Sequence, residues 1–218
     1  GGDFTVVGGL VRNKIAAIDL ATKTVTDWNP NVDNTVVDIA VDNGVVYFCG
    51  KFTGVKGSLR NAFAAVDSVT GNVISFNPTI VFPGIPGMQT GTVSSLCIQN
   101  HTLYLAGYFI SINGVSRPNV AAFDLNTQAL TAFNPQPDIP VNLIEVSGDL
   151  LYLGGPFYKV NGVSRVGYAA VNLADGSLSN WNPQGDNPGN TQYAILPDGN
   201  DRYIAGSFFN IAGTPRPY

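Results

Sequence analysis

The side chains that most often carry out catalysis are few in this sequence. The 218 residues include one histidine, His101, two cysteines, Cys49 and Cys97, and one glutamate, Glu145. A nucleophile needs a base within hydrogen-bond reach, and His101 is expected in a hairpin turn away from both cysteines. The cysteine spacing fits neither a metal site nor a disulfide framework. We therefore predict no catalytic residues, no cofactor and no metal.

Composition narrows the class of protein further. Charged residues make up 12% of the chain and hydrophobic residues 44%, with a net charge of −4. This charge content is about half the usual share, and the negative sign argues against a nucleic-acid partner. No apolar run approaches the roughly 20 residues of a membrane span. Abundant Gly, Pro, Asn, Thr and Val favour strands and tight turns.

Five of the six arginines recur at equivalent positions of an internal repeat. The repeat begins with a Gly-x-Phe motif and returns at intervals of roughly 50 residues. Its glycines are Gly2, Gly50, Gly107, Gly155 and Gly206. Ten residues after each of them stands an arginine: Arg12, Arg60, Arg117, Arg165 and Arg216.

Other residue types keep their places in the same repeat. Each full repeat carries an Ala pair, an Asp or Asn, an aromatic residue before Asn-Pro, and a Tyr three residues before the next Gly. The second repeat contains four strand-like segments, at 36–42, 45–52, 62–68 and 72–77. The first two are separated by the hairpin signal Asn43-Gly44. Four antiparallel strands at this period are typical of a β-propeller blade, and a solenoid is the alternative.

The unit "YFCGKFTGVKGSLRNAFAAVDSVTGNVISFNP" resembles the delta-60-repeat β-propellers of bacterial surface and secreted proteins. It is also distantly similar to kelch blades, in which Tyr, Gly-Gly and a later Trp keep a similar order. The resemblance covers the whole chain. It implies a propeller fold in an extracellular or cell-surface setting, and it implies no activity.

The repeat boundaries predict an all-β propeller segment over residues 1–218. The expected parts are a partial blade, three four-stranded antiparallel blades and a second partial blade, at 1–35, 36–77, 93–134, 141–182 and 191–218. We expect this arc of about four blades to belong to a larger ring of about seven. Remaining blades or partner chains would cover its open ends.

Residues that recur in every blade are expected to build the blade. Each arginine should therefore donate to carbonyl groups at the Asn-Pro exit of its own blade, or pair with Asp33, Asp138 or Asp186. An anion site is the functional alternative, but the five arginines would be spread around a ring. Bound calcium is not expected, because those aspartates stand one per blade whereas Ca²⁺ takes six to eight oxygens at one point.

Function is expected where the repeat is interrupted. The largest interruption is the insert at 79–92, which carries apolar residues in a Pro- and Gly-rich loop: Val81, Phe82, Ile85 and Met88. This loop either binds another protein or a surface glycan, or packs back on its own chain. Glu145 occupies a first-strand position that Ala40 and Cys97 hold elsewhere, where it either binds a cation or sugar or is a solvated channel residue.

These observations predict a non-catalytic, secreted or cell-surface propeller that serves in binding, adhesion or structure as part of a larger protein. The alternative is a carbohydrate-active propeller enzyme that uses paired acids. Its catalytic residues would lie largely outside this segment, because Glu145 has no acidic partner in its own blade.

Overall fold

The computed structural model describes residues 1–84, 91–185 and 192–216, without the side chains of residues 192 and 193. These residues form antiparallel strands and turns and contain no helix. No helix able to cross a membrane is therefore found among them. The chain divides into two compact units, Gly1–Pro78 and Thr79–Tyr218.

The first unit contains one three-stranded sheet and three short hairpins. The sheet is formed by β5 (Val36–Asp42), β6 (Val45–Gly50) and β9 (Phe63–Asp67), in that order. The hairpins are β1–β2 (Val6–Val7 and Leu10–Val11), β3–β4 (Ile18–Asp19 and Thr24–Val25) and β7–β8 (Gly54–Val55 and Ser58–Leu59). The predicted hairpin at Asn43-Gly44 is confirmed, because both residues have positive φ and join β5 to β6.

The second unit contains three larger sheets of decreasing size. One has four strands: β11 (Thr92–Gln99), β12 (Thr102–Tyr108), β15 (Val120–Asp124) and β16 (Ala129–Leu130). The next has three strands: β17 (Leu143–Ser147), β18 (Leu150–Gly154) and β21 (Tyr168–Asn172). The last is the pair β22 (Gln192–Asp198) and β23 (Asp201–Gly206).

Small sheets complete the second unit. The strand β10 (Ile80–Val81) pairs with the hairpin β13–β14 (Ser111–Ile112 and Val115–Ser116). Two more hairpins are β19–β20 (Lys159–Val160 and Val163–Ser164) and β24–β25 (Asn210–Ile211 and Thr214–Pro215). We refer to β1–β2, β7–β8, β13–β14, β19–β20 and β24–β25 as the small hairpins.

The prediction of four strands in every complete repeat is correct for one sheet only. In the other two, the fourth strand is reduced to a single bridge, Val66 to Val73 and Val171 to Leu178. Some backbone pairing continues beside each bridge, because the Ile74 amide donates to the Ala65 carbonyl at 3.1 Å and the Ser179 amide donates to the Ala170 carbonyl at 2.9 Å.

Neighbouring sheets of the second unit meet through their first strands. β17 contacts β11 on one side and β22 on the other. The Ile144 amide donates to the buried Ser95 hydroxyl at 3.2 Å, which links β17 to β11. The core between these two sheets is apolar and includes Leu151, Leu153 and Phe157.

Several recurring residues of the repeat are core residues. The phenylalanine of the Gly-x-Phe motif is almost fully buried at Phe52, Phe109 and Phe157. The recurring tyrosines pack edge-on against the aromatic residue before Asn-Pro of the same predicted blade. These pairs are Tyr47–Phe76, Tyr104–Phe133 and Tyr152–Trp181, with ring centroids 6.4, 5.3 and 5.1 Å apart. Such edge-to-face pairs add stability beyond the area that they bury.

Candidate functional site

The recurring arginines bind the backbone of their own repeat. Four of them donate from Nη2 to the carbonyl fourteen residues later, and from Nη1 to the carbonyl of the preceding residue. The distant acceptors of Arg12, Arg60, Arg117 and Arg165 are Thr26, Ile74, Thr131 and Ser179, at 2.6, 2.9, 2.9 and 3.1 Å.

In this geometry, few N–H groups of these four guanidinium groups are free to bind a ligand. Both Nη atoms are engaged with carbonyls, and the Nε atoms are enclosed without a hydrogen-bond partner. An external anion would need an open edge of the guanidinium for two parallel hydrogen bonds. Arg216 differs, because it is exposed.

The acceptors lie three residues before the Asn-Pro pair rather than at it. Asp19 lies opposite Thr24 in the β3–β4 hairpin. Acceptors at the Asn-Pro pair would require the chain to run straight from Arg12 into β3. Lys14 instead has a positive φ of 67°, so the chain turns before the strand begins. The equivalent residues Ala62, Asn119 and Gly167 turn in the same way.

The aspartates after Asn-Pro do not bind the arginines in the described residues. Asp33 accepts from the Thr53 amide at 3.0 Å and from the Thr53 hydroxyl at 2.8 Å. Asp138 accepts from the amides of Tyr158 and Lys159, both at 3.0 Å. Burial opposes ionisation of Asp33, yet the hydrogen bonds from Thr53 keep the pKa of its carboxyl below the ordinary value. Asp186 lies outside the described residues.

These aspartates belong to segments that join successive repeats. Each connecting segment after Asn-Pro pairs with the small hairpin of the following repeat. The pairs are Val32 with Val55, Ile80 with Ile112, Pro137 with Val160, and Gly185 with Ile211. The aspartates therefore fasten one repeat to the next.

Sequence reasoning did not identify the small hairpins. All five turn through two residues of positive φ, the second of which is always glycine: Gly9, Gly57, Gly114, Gly162 and Gly213. This is the type I′ geometry that favours Asn-Gly, and Asn113-Gly114 and Asn161-Gly162 carried that signal. Only two residues pair on each side, which is too short for a recognisable strand pattern.

Asp67 stabilises the turn that follows β9. Its carboxylate accepts from the amides of Val69 and Thr70 at 3.0 and 2.6 Å. Asp19 makes the same contacts with Ala21 and Thr22. Hydrogen bonds from the Thr70 and Thr22 amides are the main reason that the pKa of each carboxyl is lowered.

The insert candidates are described in part. Ile80 and Val81 pair with β13, and Val81 is 39% exposed. Phe82 is half-buried and close to Gly91, where an added Cβ would lie 2.5 Å from its Cδ1. Ile85 and Met88 lie outside the described residues. The described half of the insert therefore packs partly on its own chain while exposing Val81.

Glu145 and His101 lie in different elements. Glu145 is half-buried in β17 opposite Tyr152, just as Ala40 faces Tyr47 and Cys97 faces Tyr104. His101 is exposed in the β11–β12 turn, as expected.

Both cysteines are free, with Cys49 buried and Cys97 half-buried. Burial raises the pKa of the Cys49 thiol, which makes it a poor nucleophile. Among the described residues, no three His, Cys, Asp or Glu side chains cluster as metal ligands would.

Two clefts are lined by polar side chains. One, of about 690 Å³, lies in the first unit between the first two repeats and includes Asn13, Asn31 and Asp33. The other, of about 520 Å³, lies in the second unit and includes Gln99, Asp149 and Asp175. Sequence reasoning singled out Asp33 alone among these residues, and for a structural role.

Comparison with known proteins gives fold similarity only. No family model and no curated protein matches the chain. A solved structure described as the computationally designed Ika4 protein is similar at a TM-score of 0.50 and 10% identity, covering 81% of this chain and 92% of that one. The designed Ika8 protein gives a TM-score of 0.34 at 9% identity, covering 87% and 74%.

Proposed function

We propose that the chain is part of a β-propeller that serves as a non-catalytic binding or structural module at the cell surface or outside the cell. The propeller arrangement is supported by β17, whose two neighbours β11 and β22 are the first strands of the adjoining sheets. In a β-propeller, the first strands of the blades lie next to one another around the centre, and the later strands of each blade lie farther out.

One observation carries the non-catalytic assignment. The polar side chains that recur in the repeat are occupied by backbone groups: the arginines by carbonyls, and the aspartates by amides of turns and small hairpins. Residues used in this way maintain the fold and are poorly placed to contact a partner. Contacts specific to this protein are then expected from residues that break the repeat.

The insert at 79–92 is the proposed contact, and its partner is another protein or a surface glycan. Val81 presents an apolar side chain directly beside the β13–β14 hairpin. Phe82 is only half-buried, so it keeps apolar surface for a partner. Exposed apolar side chains in a loop are a frequent feature of contact sites.

The test removes the insert without removing its pairing strand. Residues 79–81 are kept, and 82–91 are shortened to the length of the connection in the first repeat. A Val163→Ala variant is the matched control, because Val163 is an exposed apolar hairpin residue outside the insert. Both are immobilised beside the parent, and the proteins and glycans recovered from a cell-surface extract are identified.

We expect the shortened variant to fold and to lose partners that the parent and the control retain. A shortened variant that folds and keeps every partner would show that the insert is not the contact. Loss of folding would assign the insert to the core, and the alanine variant of Val81 then tests the contact alone.

A further inference from the structure

We infer that the cleft between the first two repeats is a binding site for a neutral oligosaccharide. It is lined by Asn13, Lys14, Asn31, Asp33 and by hydroxyl residues that include Thr5 and Ser58. Its volume of about 690 Å³ falls within the range of small-ligand sites. This site does not involve the insert, so it stands independently of the contact proposed there.

An amide pair defines the hydrogen-bonding character of the cleft. Asn13 Nδ2 donates to Asn31 Oδ1 at 2.7 Å. The bond uses one N–H of Asn13 and the carbonyl of Asn31, so the Asn13 carbonyl and the Asn31 NH₂ group have no side-chain partner among the described residues. The same set remains whichever way the two amides are oriented. A neighbouring acceptor and donor suit two adjacent hydroxyl groups, each of which both donates and accepts.

The pair breaks the repeat. The residues equivalent to Asn13 are Asn61, Pro118 and Val166, and those equivalent to Asn31 are Thr79, Gln136 and Gln184. The combination of two asparagines therefore occurs once. The next residue also differs from the other repeats: Lys14 stands where they have Ala62, Asn119 and Gly167.

The electrostatics favour a neutral ligand. Lys14 Nζ is held by Asp3 Oδ1 at 2.6 Å, which neutralises the one cation among the described lining residues. Asp33 remains negative, since hydrogen bonds from Thr53 hold its pKa low. Phosphates and other anions would be repelled, whereas sugar hydroxyls can donate to carboxylate and amide oxygens.

A peptide strand fits less well. Peptides commonly bind by adding a strand to open backbone groups. Here the Asp33 amide donates to Gly54 and the Lys56 amide donates to Asn31, so these backbone groups are already paired. None of the described lining residues is aromatic. Leu59 is the one large apolar side chain among them that is substantially exposed. Hydroxyl and amide side chains are what the cleft offers.

The site is tested by NMR titration of the isotope-labelled chain with cellotriose, maltotriose and an α-linked mannotriose, each up to about 20 mM. We expect at least one of them to shift the side-chain amide signals of Asn13 and Asn31. Asn13→Ala should weaken that binding about tenfold or more. Asn61→Ala is the matched control, because Asn61 is the equivalent, exposed residue of the next repeat, and it should leave binding unchanged.

Three results would overturn the inference. In the first, none of the three saccharides shifts the two amides. In the second, Asn13→Ala and Asn61→Ala bind equally well. In the third, the blocked peptide acetyl-Gly-Thr-Gly-amide shifts the two amides at lower concentration than any of the saccharides, which would assign the cleft to peptides. These NMR results do not depend on the outcome of the experiment on the insert, because none of the described residues that line this cleft belongs to the insert.

Discussion

At the scale of single residues, the arginines show how a long polar side chain can serve the backbone. Arg117 holds Ser116 and Thr131 together through two charged hydrogen bonds, each at 2.9 Å. Thr131 directly follows β16, so this bond closes the end of the outer strand. The carbonyls would otherwise have to find other donors where the ladder stops.

Arg117→Ala should lower the free energy of unfolding by about 1–3 kcal/mol, because two carbonyls lose a charged donor. Chemical denaturation monitored by fluorescence measures this loss. Arg216→Ala is the control: it removes the exposed arginine at the equivalent position and should change stability by less than about 0.5 kcal/mol. Equal effects of the two substitutions would contradict an architectural role specific to the engaged arginines.

Tyr168 gives a prediction about alkaline pH. Its ring is buried, its hydroxyl donates to the Ala205 carbonyl at 3.3 Å, and burial raises its pKa to about 12. The unfolded pKa is about 10. Since the folded pKa is the higher one, the contribution of Tyr168 to stability is complete below about pH 10 and is lost as the pH rises toward 12.

The melting temperature of the parent should therefore fall across this alkaline window. Tyr168→Phe should show a smaller fall over the same pH range, although its stability at neutral pH is slightly lower. A spectroscopic titration of tyrosinate absorbance should also lack one late-titrating group in the variant. Identical alkaline profiles for the two proteins would contradict the assignment.

At the scale of elements, the small hairpins depend on left-handed glycines. Gly114 has a φ of 77°, and a Cβ added there would meet no atom within 4 Å. Any cost of Gly114→Ala is therefore conformational, and we expect about 1–2 kcal/mol. Ala212→Gly, at the first turn position of the β24–β25 hairpin, where φ is also positive, should be neutral or slightly stabilising. Thermal denaturation of both variants checks the prediction, and a Gly114→Ala variant as stable as the parent would refute it.

The sequence predicts the long strands well because their signals are local. The segment 36–42 is observed with the predicted bounds, since alternating β-branched residues end at an Asn-Gly turn. The turn at Lys14 could not be predicted, because Lys14 and Ala62 adopt a positive φ that neither residue type favours. That conformation is imposed by the surrounding hydrogen bonds, including Lys14 N to Phe4 O.

The candidate sites were harder to predict for a related reason. The insert is visible in the sequence as extra length. The cleft of the first unit depends on residues 18 positions apart, Asn13 and Asn31, which become neighbours only when the chain has turned at Lys14. No periodic signal marks such a pair. A comparison of equivalent positions between repeats, made for polar residues alone, would have drawn attention to it.

At the scale of the whole molecule, we expect a β-type far-UV circular dichroism spectrum without a helical contribution. The described ranges 1–84, 91–185 and 192–216 contain strands and turns throughout and no helix. Double minima typical of helix in the purified protein would contradict this fold. Heating should remove the β signal and the aromatic near-UV signal together, because Tyr104 of β12 packs against Phe133, which follows the last strand of the same sheet.

The connecting segments also bear on how such a gene can grow. Because each segment leaves one repeat and pairs with the small hairpin of the next, every junction presents the same donor strand and the same acceptor hairpin. A tandem duplication one period long would therefore recreate an intact junction on both sides, wherever within the period the DNA was broken. This pairing makes each repeat depend on its neighbour for stability. For the same reason, an added repeat can pair at once with the repeats before and after it.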